Sequence, residues 1–188
     1  DGEGTSILIP FVERPVSMGW LYFPFILFVI LGTENSVNLT DGIDGLAAGV
    51  TAIVMLFLAG LSWQYMQEGM MRLCLFAAAG CLGFLVFNHY PAKVFMGDTG
   101  SLFLGGLVSA SAVVLRQPLL LILIGFVYFA ETLSVILQVI SYKTTGKRIF
   151  KMSPIHHHFE MCGWKETKIV GVFCAVTLLL CIVALFAI

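Results

Sequence analysis

Residues 46–63 read LAAGVTAIVMLFLAGLSW, a run with no charge in it. A helix needs about 20 mostly apolar residues to cross a bilayer, within a range of about 17 to 25. This run also lacks the polar face that a helix at a water-exposed surface would carry. Working outward, similar runs extend from Gly19 to Leu31, Met71 to Phe87, Leu102 to Leu115, Leu119 to Tyr142 and Ile169 to Ile188. Gly19 to Leu31 and Leu102 to Leu115 are short and need tilt, flanking residues or a thinner local bilayer; the others qualify directly. Membrane strands are excluded, because no run alternates apolar and polar residues with period two. Composition agrees, with 59% hydrophobic and 11% charged residues, where soluble domains carry roughly 25% charged residues. The expected fold class is all-α: a polytopic helical membrane protein, with about six transmembrane helices in residues 19–188 behind an extracytoplasmic segment, residues 1–18.

Basic residues set the expected orientation. If the connections around residues 33–45, 88–101 and 143–168 share one side, that side holds Lys93, Lys143, Lys147, Arg148, Lys151, Lys165 and Lys168. The other side holds only Arg14, Arg72 and Arg116. The richer side is then cytoplasmic, and the chain is expected to be a multi-pass protein of a cell membrane. A net charge of -1 offers no basic stripe for nucleic acid. The five cysteines form no CxxC, and Cys74, Cys81, Cys174 and Cys181 sit within apolar runs, so they read as core or lipid-facing thiols.

The unusual polar residues gather on the same expected cytoplasmic side, in three clusters. The first, GTENSVNLTDGIDGLAAG, holds Glu34, Asn35, Asn38, Thr40, Asp41 and Asp44. If Asp41 and Asp44 occupy the first turn of the second helix, their three-residue spacing puts both on one face, favoured by the positive helix end. Such a pair can hold a divalent cation or substrate hydroxyls; simple helix capping accounts for one acid well and for the whole run poorly. The second cluster, NHYPAKVFMGDTGS, holds Asn88, Lys93, Phe95 and Asp98. Its glycines admit a close backbone approach, and the helix that follows offers free amides to phosphate. Asp98 is the metal candidate, since magnesium takes one or two carboxylates together with substrate phosphates. Phe95 reads either as a stacking surface for a base or as interface packing.

The third cluster, KMSPIHHHFE, lies in the long connection 143–168 and brings His156, His157 and His158 together. Neighbours on a helix point about 100° apart, so three in a row suit an extended or turn segment lining phosphates; zinc and an incidental structural role remain open. Glu131 falls inside the fifth apolar run, where a carboxylate is costly. It reads either as functional, on a broken or cavity-lining helix, or as a packing residue. Taken together, the residues point to magnesium-dependent phosphoryl transfer at a membrane surface. The rival class is a transporter, which would be expected to show repeats and a midplane site.

The runs NSVNLTDGIDGLAAG, NHYPAKVFMGDTGSLFLGG and PIHHHFE resemble those of the bacterial phospho-N-acetylmuramoyl-pentapeptide transferases. These belong to the polyprenyl-phosphate N-acetylhexosamine-1-phosphate transferases; the first two runs mark the superfamily and the histidine run its muramoyl-pentapeptide branch. The resemblance implies a ten-helix fold with a cytoplasmic groove, a homodimer, magnesium as cofactor and nucleoside antibiotics as groove ligands. It also implies transfer of phospho-MurNAc-pentapeptide from UDP-MurNAc-pentapeptide to undecaprenyl phosphate, giving lipid I and UMP, a step of peptidoglycan synthesis. Carried over by motif, the catalytic candidates are Asp98, Asp41, Asp44 and His157, with Asp98 holding the metal. The substrate-binding candidates are Asn38, Asn88, Phe95, Lys93, His156 and His158.

The departure is at the front. The family's adjacent aspartate pair followed by lysine is absent, and six helices fall short of ten. The chain also opens without Met, so it reads as the carboxyl-terminal part of such an enzyme, inactive without its amino-terminal part.

Overall fold

The computed structural model describes residues 2–188, with residues 2, 3, 13 and 14 described for backbone only. Asp1 and the side chain of Arg14, both in the expected extracytoplasmic segment, lie outside the described residues. The chain begins with an antiparallel hairpin, β1 (Ser6–Ile9) and β2 (Val12–Ser17), pairing Ser6 with Ser17 and Ile9 with Val12. A 3-10 turn at Gly19–Leu21 leads into α1 (Tyr22–Thr40), and α2 (Leu46–Gln64), α3 (Glu68–Asn88) and α4 (Gly97–Val114) follow. Short α5 (Leu121–Ile124), α6 (Phe126–Thr145), short α7 (Ile155–Met161) and α8 (Glu166–Ala184) complete the fold.

Among the described residues five helices are long and apolar enough to cross a membrane, and α5 with α6, bent by 83° at their break, makes a sixth if the pair counts as one span. The fifth run, one apolar segment in the sequence whose helix is left open to a break near Glu131, does break, at Gly125. The Gly125 N–H bonds the Leu121 carbonyl at 2.8 Å, and a Cβ there would lie 2.7 Å from that oxygen. Only glycine lets the chain fold back this tightly.

Helix α2 is the centre of the bundle. Within its most apolar window 72% of residues are buried, against 17% for α1 and for α3. Leu46, Val50, Val54, Met55 and Leu58 are enclosed, while Phe23, Phe28, Phe76 and Phe103 stand exposed, as lipid-facing residues do. Small residues let helices approach, as membrane bundles require: Gly105 of α4 lies on the backbone of Glu34 in α1, and Gly49 of α2 lies against Cys174 of α8.

The expected end of the first helix, Leu31, is also corrected. Helix α1 runs on to Thr40 because its polar residues bond its own backbone: Asn35 to the Leu31 carbonyl at 2.7 Å, Ser36 to Gly32 at 2.6 Å, and Thr40 to Ser36 at 2.7 Å. Hydropathy registers such residues as a loop although they are satisfied on the helix itself. Likewise α4 begins at Gly97 rather than near Leu102, and the connection 143–168 contains α7.

The hairpin bonds the far end of the bundle, Leu8 N–H to the Arg116 carbonyl and Phe11 N–H to the Ala187 carbonyl, both at 2.9 Å. Alternating helix direction then puts residues 40–46, 88–97 and 145–166 together at the opposite end.

The tight α1–α4 contact gives a direct test. Gly105→Ala, whose Cβ would lie 2.5 Å from Glu34 Cα, is expected to destabilise the protein by about 1–3 kcal/mol. Gly80→Ala on α3 meets nothing within 4 Å and is expected to be neutral or stabilising. Thermal unfolding in detergent reads both.

Candidate active site

Two sequence clusters meet at the polar end of the bundle. Asn38, near the end of α1, donates through Nδ2 to Asp98 Oδ1 at 3.1 Å and to Ser101 Oγ at 2.9 Å, both on α4. Asp41 terminates α1, and its carboxyl faces the Gly97 backbone N–H at the start of α4. Asp98 stands in the first turn of α4, where the helix dipole favours an anion. The expectation that Asp41 and Asp44 share the first turn of α2 is corrected, since α2 starts only at Leu46 and both acids lie in the turn before it. Gly45, at φ 80°, takes the left-handed conformation that lets this turn enter the helix.

Asp44 Oδ2 accepts the Ala92 N–H at 2.8 Å, tying the turn to the 89–96 loop. Asn88 is a latch: its Oδ1 accepts the Gly45 N–H at 3.0 Å and its Nδ2 donates to the Val94 carbonyl at 2.9 Å. Between them opens a cleft of about 230 Å³ lined by Asn38, Asp41, Asp44, Asn88, Phe95 and Asp98, with Gly42, Ile43, Met96 and Gly97. The Phe95 ring is 76% exposed at its edge, and Lys93 is exposed on the same loop.

A family model for glycosyl transferase family 4 matches residues 3–116. The chain belongs to that family. Among its relatives, the phospho-N-acetylmuramoyl-pentapeptide-transferase of Acetivibrio thermocellus is 52% identical over 190 residues, covering 97% of this chain and 56% of the relative. Proteins of the same name from Clostridium novyi and Clostridium perfringens are 54% and 55% identical over 96% of this chain. The chain spans 55% and 57% of those two relatives' lengths. It is thus a polytopic helical membrane protein of the glycosyl transferase 4 family, similar to transferases roughly twice its length.

In this family member no histidine is among the residues that line the cleft. His156, His157 and His158 lie on α7, a helix, and not on an extended segment. Phe159 of α7 stacks on Trp164 at 4.9 Å and meets Phe173 of α8 edge-on at 5.9 Å, which anchors the short helix. His156 points inward and is buried, with Nδ1 3.0 Å from Glu131 Oε2. His157 Nδ1 pairs with the Glu160 carboxylate, and His158 Nδ1 accepts the Lys151 N–H at 3.1 Å. Two further acids lie beside these histidines. Glu131 was flagged by its apolar surroundings but had no partner to name. Glu166 opens α8 with its carboxyl near the Asp44 backbone, Glu160 and His157; nothing in its local sequence marks it.

Among the described residues no three His, Cys, Asp or Glu side chains converge to hold a metal ion by themselves. The donors present are carboxylate and amide oxygens, which suit magnesium shared with substrate phosphates. Burial pushes the Asp41 carboxyl from an ordinary 3.8 up to about 6; the Asp98 charge adds to the rise and the Gly97 N–H opposes it.

Because Asp41 ionises less readily when folded, its contribution to stability is present at low pH and lost as pH rises through about 6. In magnesium-free detergent, Asp41→Asn is therefore expected to unfold at a higher temperature than the wild type at pH 7.5. That advantage shrinks as pH falls from about 6 towards 4. In a carbon-13 titration, Asp98→Asn is expected to lower the Asp41 midpoint without returning it to the ordinary value, since burial is the larger cause.

Proposed function

We propose that the protein carrying this chain transfers phospho-MurNAc-pentapeptide from UDP-MurNAc-pentapeptide to undecaprenyl phosphate, giving lipid I and UMP. The observation that carries this reading is the cleft: two amides, three acids and an exposed aromatic ring, drawn from two distant runs, gather beside the first turn of α4. The printed names of the relatives favour the same substrate pair. The basic residues of this end, Lys93, Lys143, Lys147, Arg148, Lys151, Lys165 and Lys168, favour a cytoplasmic active site. That is the side on which a soluble nucleotide sugar would arrive. A homodimer and nucleoside antibiotics in the groove belong to the same reading.

In a direct displacement, an oxygen of the lipid phosphate attacks the β-phosphorus of the uridine diphosphate. The bond from that phosphorus to the bridging oxygen breaks, and UMP leaves with the bonding pair. The chain's residues bind and orient. Phe95 offers its ring to uracil, the first-turn amides of α4 meet phosphate oxygens, and Lys93 offsets their charge. Asp98, oriented by Asn38, would hold magnesium, and Asp41 and Asp44 face the nucleotide sugar. Bound magnesium neutralises charge that builds up on the phosphoryl oxygens.

The test is magnesium-dependent UMP release by the full-length protein in detergent, with both substrates present. Asp98→Asn is expected to lower kcat by about 100-fold or more. Phe95→Ala is expected to raise KM about tenfold with kcat little changed, the loss of about 1–2 kcal/mol of stacking. No UMP release from folded wild-type protein would sink the assigned substrates. Release with a UDP-N-acetylhexosamine instead would move the protein to a sister branch.

A further inference from the structure

Two buried polar atoms without a hydrogen-bond partner belong to one pair, Glu131 Oε1 on α6 and His156 Nε2 on α7. Both side chains are 0% exposed. Their other atoms meet: His156 Nδ1 lies 3.0 Å from Glu131 Oε2, and that oxygen also faces the His156 backbone N–H at 3.4 Å. Oε2 accepts that backbone N–H, and where it also accepts from the ring, Nδ1 carries the hydrogen and the lone pair is left on Nε2. Nε2 is aimed at Gly42. A Cβ at that position would strike Nε2 and Cε1, so the imidazole occupies the space that glycine leaves open. Gly42 lines the cleft between Asp41 and Ile43, and the ring supports this turn from behind.

We propose that Glu131 is a positioning residue of this active site: it fixes the orientation and tautomer of His156, and through that ring it sets the Asp41–Asp44 turn against the substrate. Two features of the fold bring it there. The break at Gly125 turns α6 by 83° from α5, which carries Glu131 beneath α7. The next residue, Thr132, donates to Ser36 Oγ of α1 at 2.8 Å, so α6 is clamped to α1 beside the pair. A neutral amide could brace the ring equally well. An ionised carboxylate additionally enforces the hydrogen on Nδ1, because it has none to give.

What is measured rests in part on the transferase reading above, so the experiment has two arms. In the first, the full-length protein is assayed for UMP release as wild type, Glu131→Gln, His156→Gln and the double variant. Glu131→Gln is expected to lower kcat by about 10- to 100-fold, with KM within about threefold of wild type. The double variant is expected to be no slower than His156→Gln alone, because Glu131 acts through the ring. In the second arm, nitrogen-15 spectra of labelled histidine are expected to give a fixed Nδ1–H ring for His156 in the wild type. That ring becomes a tautomer mixture in Glu131→Gln, a change that loss of packing alone would not cause.

Wild-type kcat in Glu131→Gln, multiplied losses in the double variant, or an unchanged tautomer would each overturn the proposal. Should Glu131→Gln not fold, Glu131→Asp carries the test. It keeps the charge but draws it back by one methylene, and is expected to lower kcat while the ring keeps Nδ1–H; wild-type kcat there overturns the proposal. If the wild type releases no UMP, the transferase reading fails, and the nitrogen-15 arm alone decides the role of Glu131.

Discussion

A polar group carried into the apolar slab finds no water there and must be satisfied within the protein. This chain meets the constraint mainly on its own helices. Ser36, Thr40, Ser62, Ser111 and Thr177 each donate to the carbonyl four residues back. Helices can therefore remain regular through polar stretches, and α1 does so as far as Thr40. That extension is what carries Asn38 to Asp98 and Asp41 to Gly97. The cleft exists because α1 is longer than its hydropathy indicates, and because Gly105 and Gly106 let α4 lie close against Glu34.

The cleft concentrates acids under unequal conditions. Asp98 sits at the favourable end of α4, while Asp41 ends α1, where the helix dipole opposes a negative charge. Asp41 is also half enclosed and faces Asp98, which accounts for its reluctance to ionise. The neighbouring amide groups are committed differently. Asn38 spends both described bonds on α4, orienting Asp98, whereas Asn88 spends its bonds on backbone, fixing the loop that bears Phe95.

The broken span has a comparable logic. A straight helix from Leu119 to Tyr142 would leave Glu131 facing apolar neighbours. The turn at Gly125 redirects α6, gives Glu131 a histidine partner, and leaves Tyr128 hydroxyl bonded to Thr51 of α2 at 2.8 Å. One glycine thereby links the membrane core to the histidine helix. The aromatic stack of Phe159 on Trp164, with Lys168 3.9 Å above the Trp164 ring, holds that helix against α8.

The sequence by itself determined the fold class, the number and approximate place of the spans, and the convergence of three polar runs at one end. Each of these depends on local periodicity, length and the parity of helix direction, which a chain displays without being folded. It also marked Asp41, Asp44, Asp98 and Glu131, because charges in apolar surroundings are conspicuous. The tertiary structure alone decided which of them meet. Asn38 and Asp98 are 60 residues apart, and Glu131 and His156 are 25 apart across a bent helix. It also decided where helices end, since Ser36 and Thr40 look like loop residues until their backbone bonds are seen. Pairing across such distances is set by close packing at particular glycines, and packing is a property of surfaces brought together that no stretch of sequence contains.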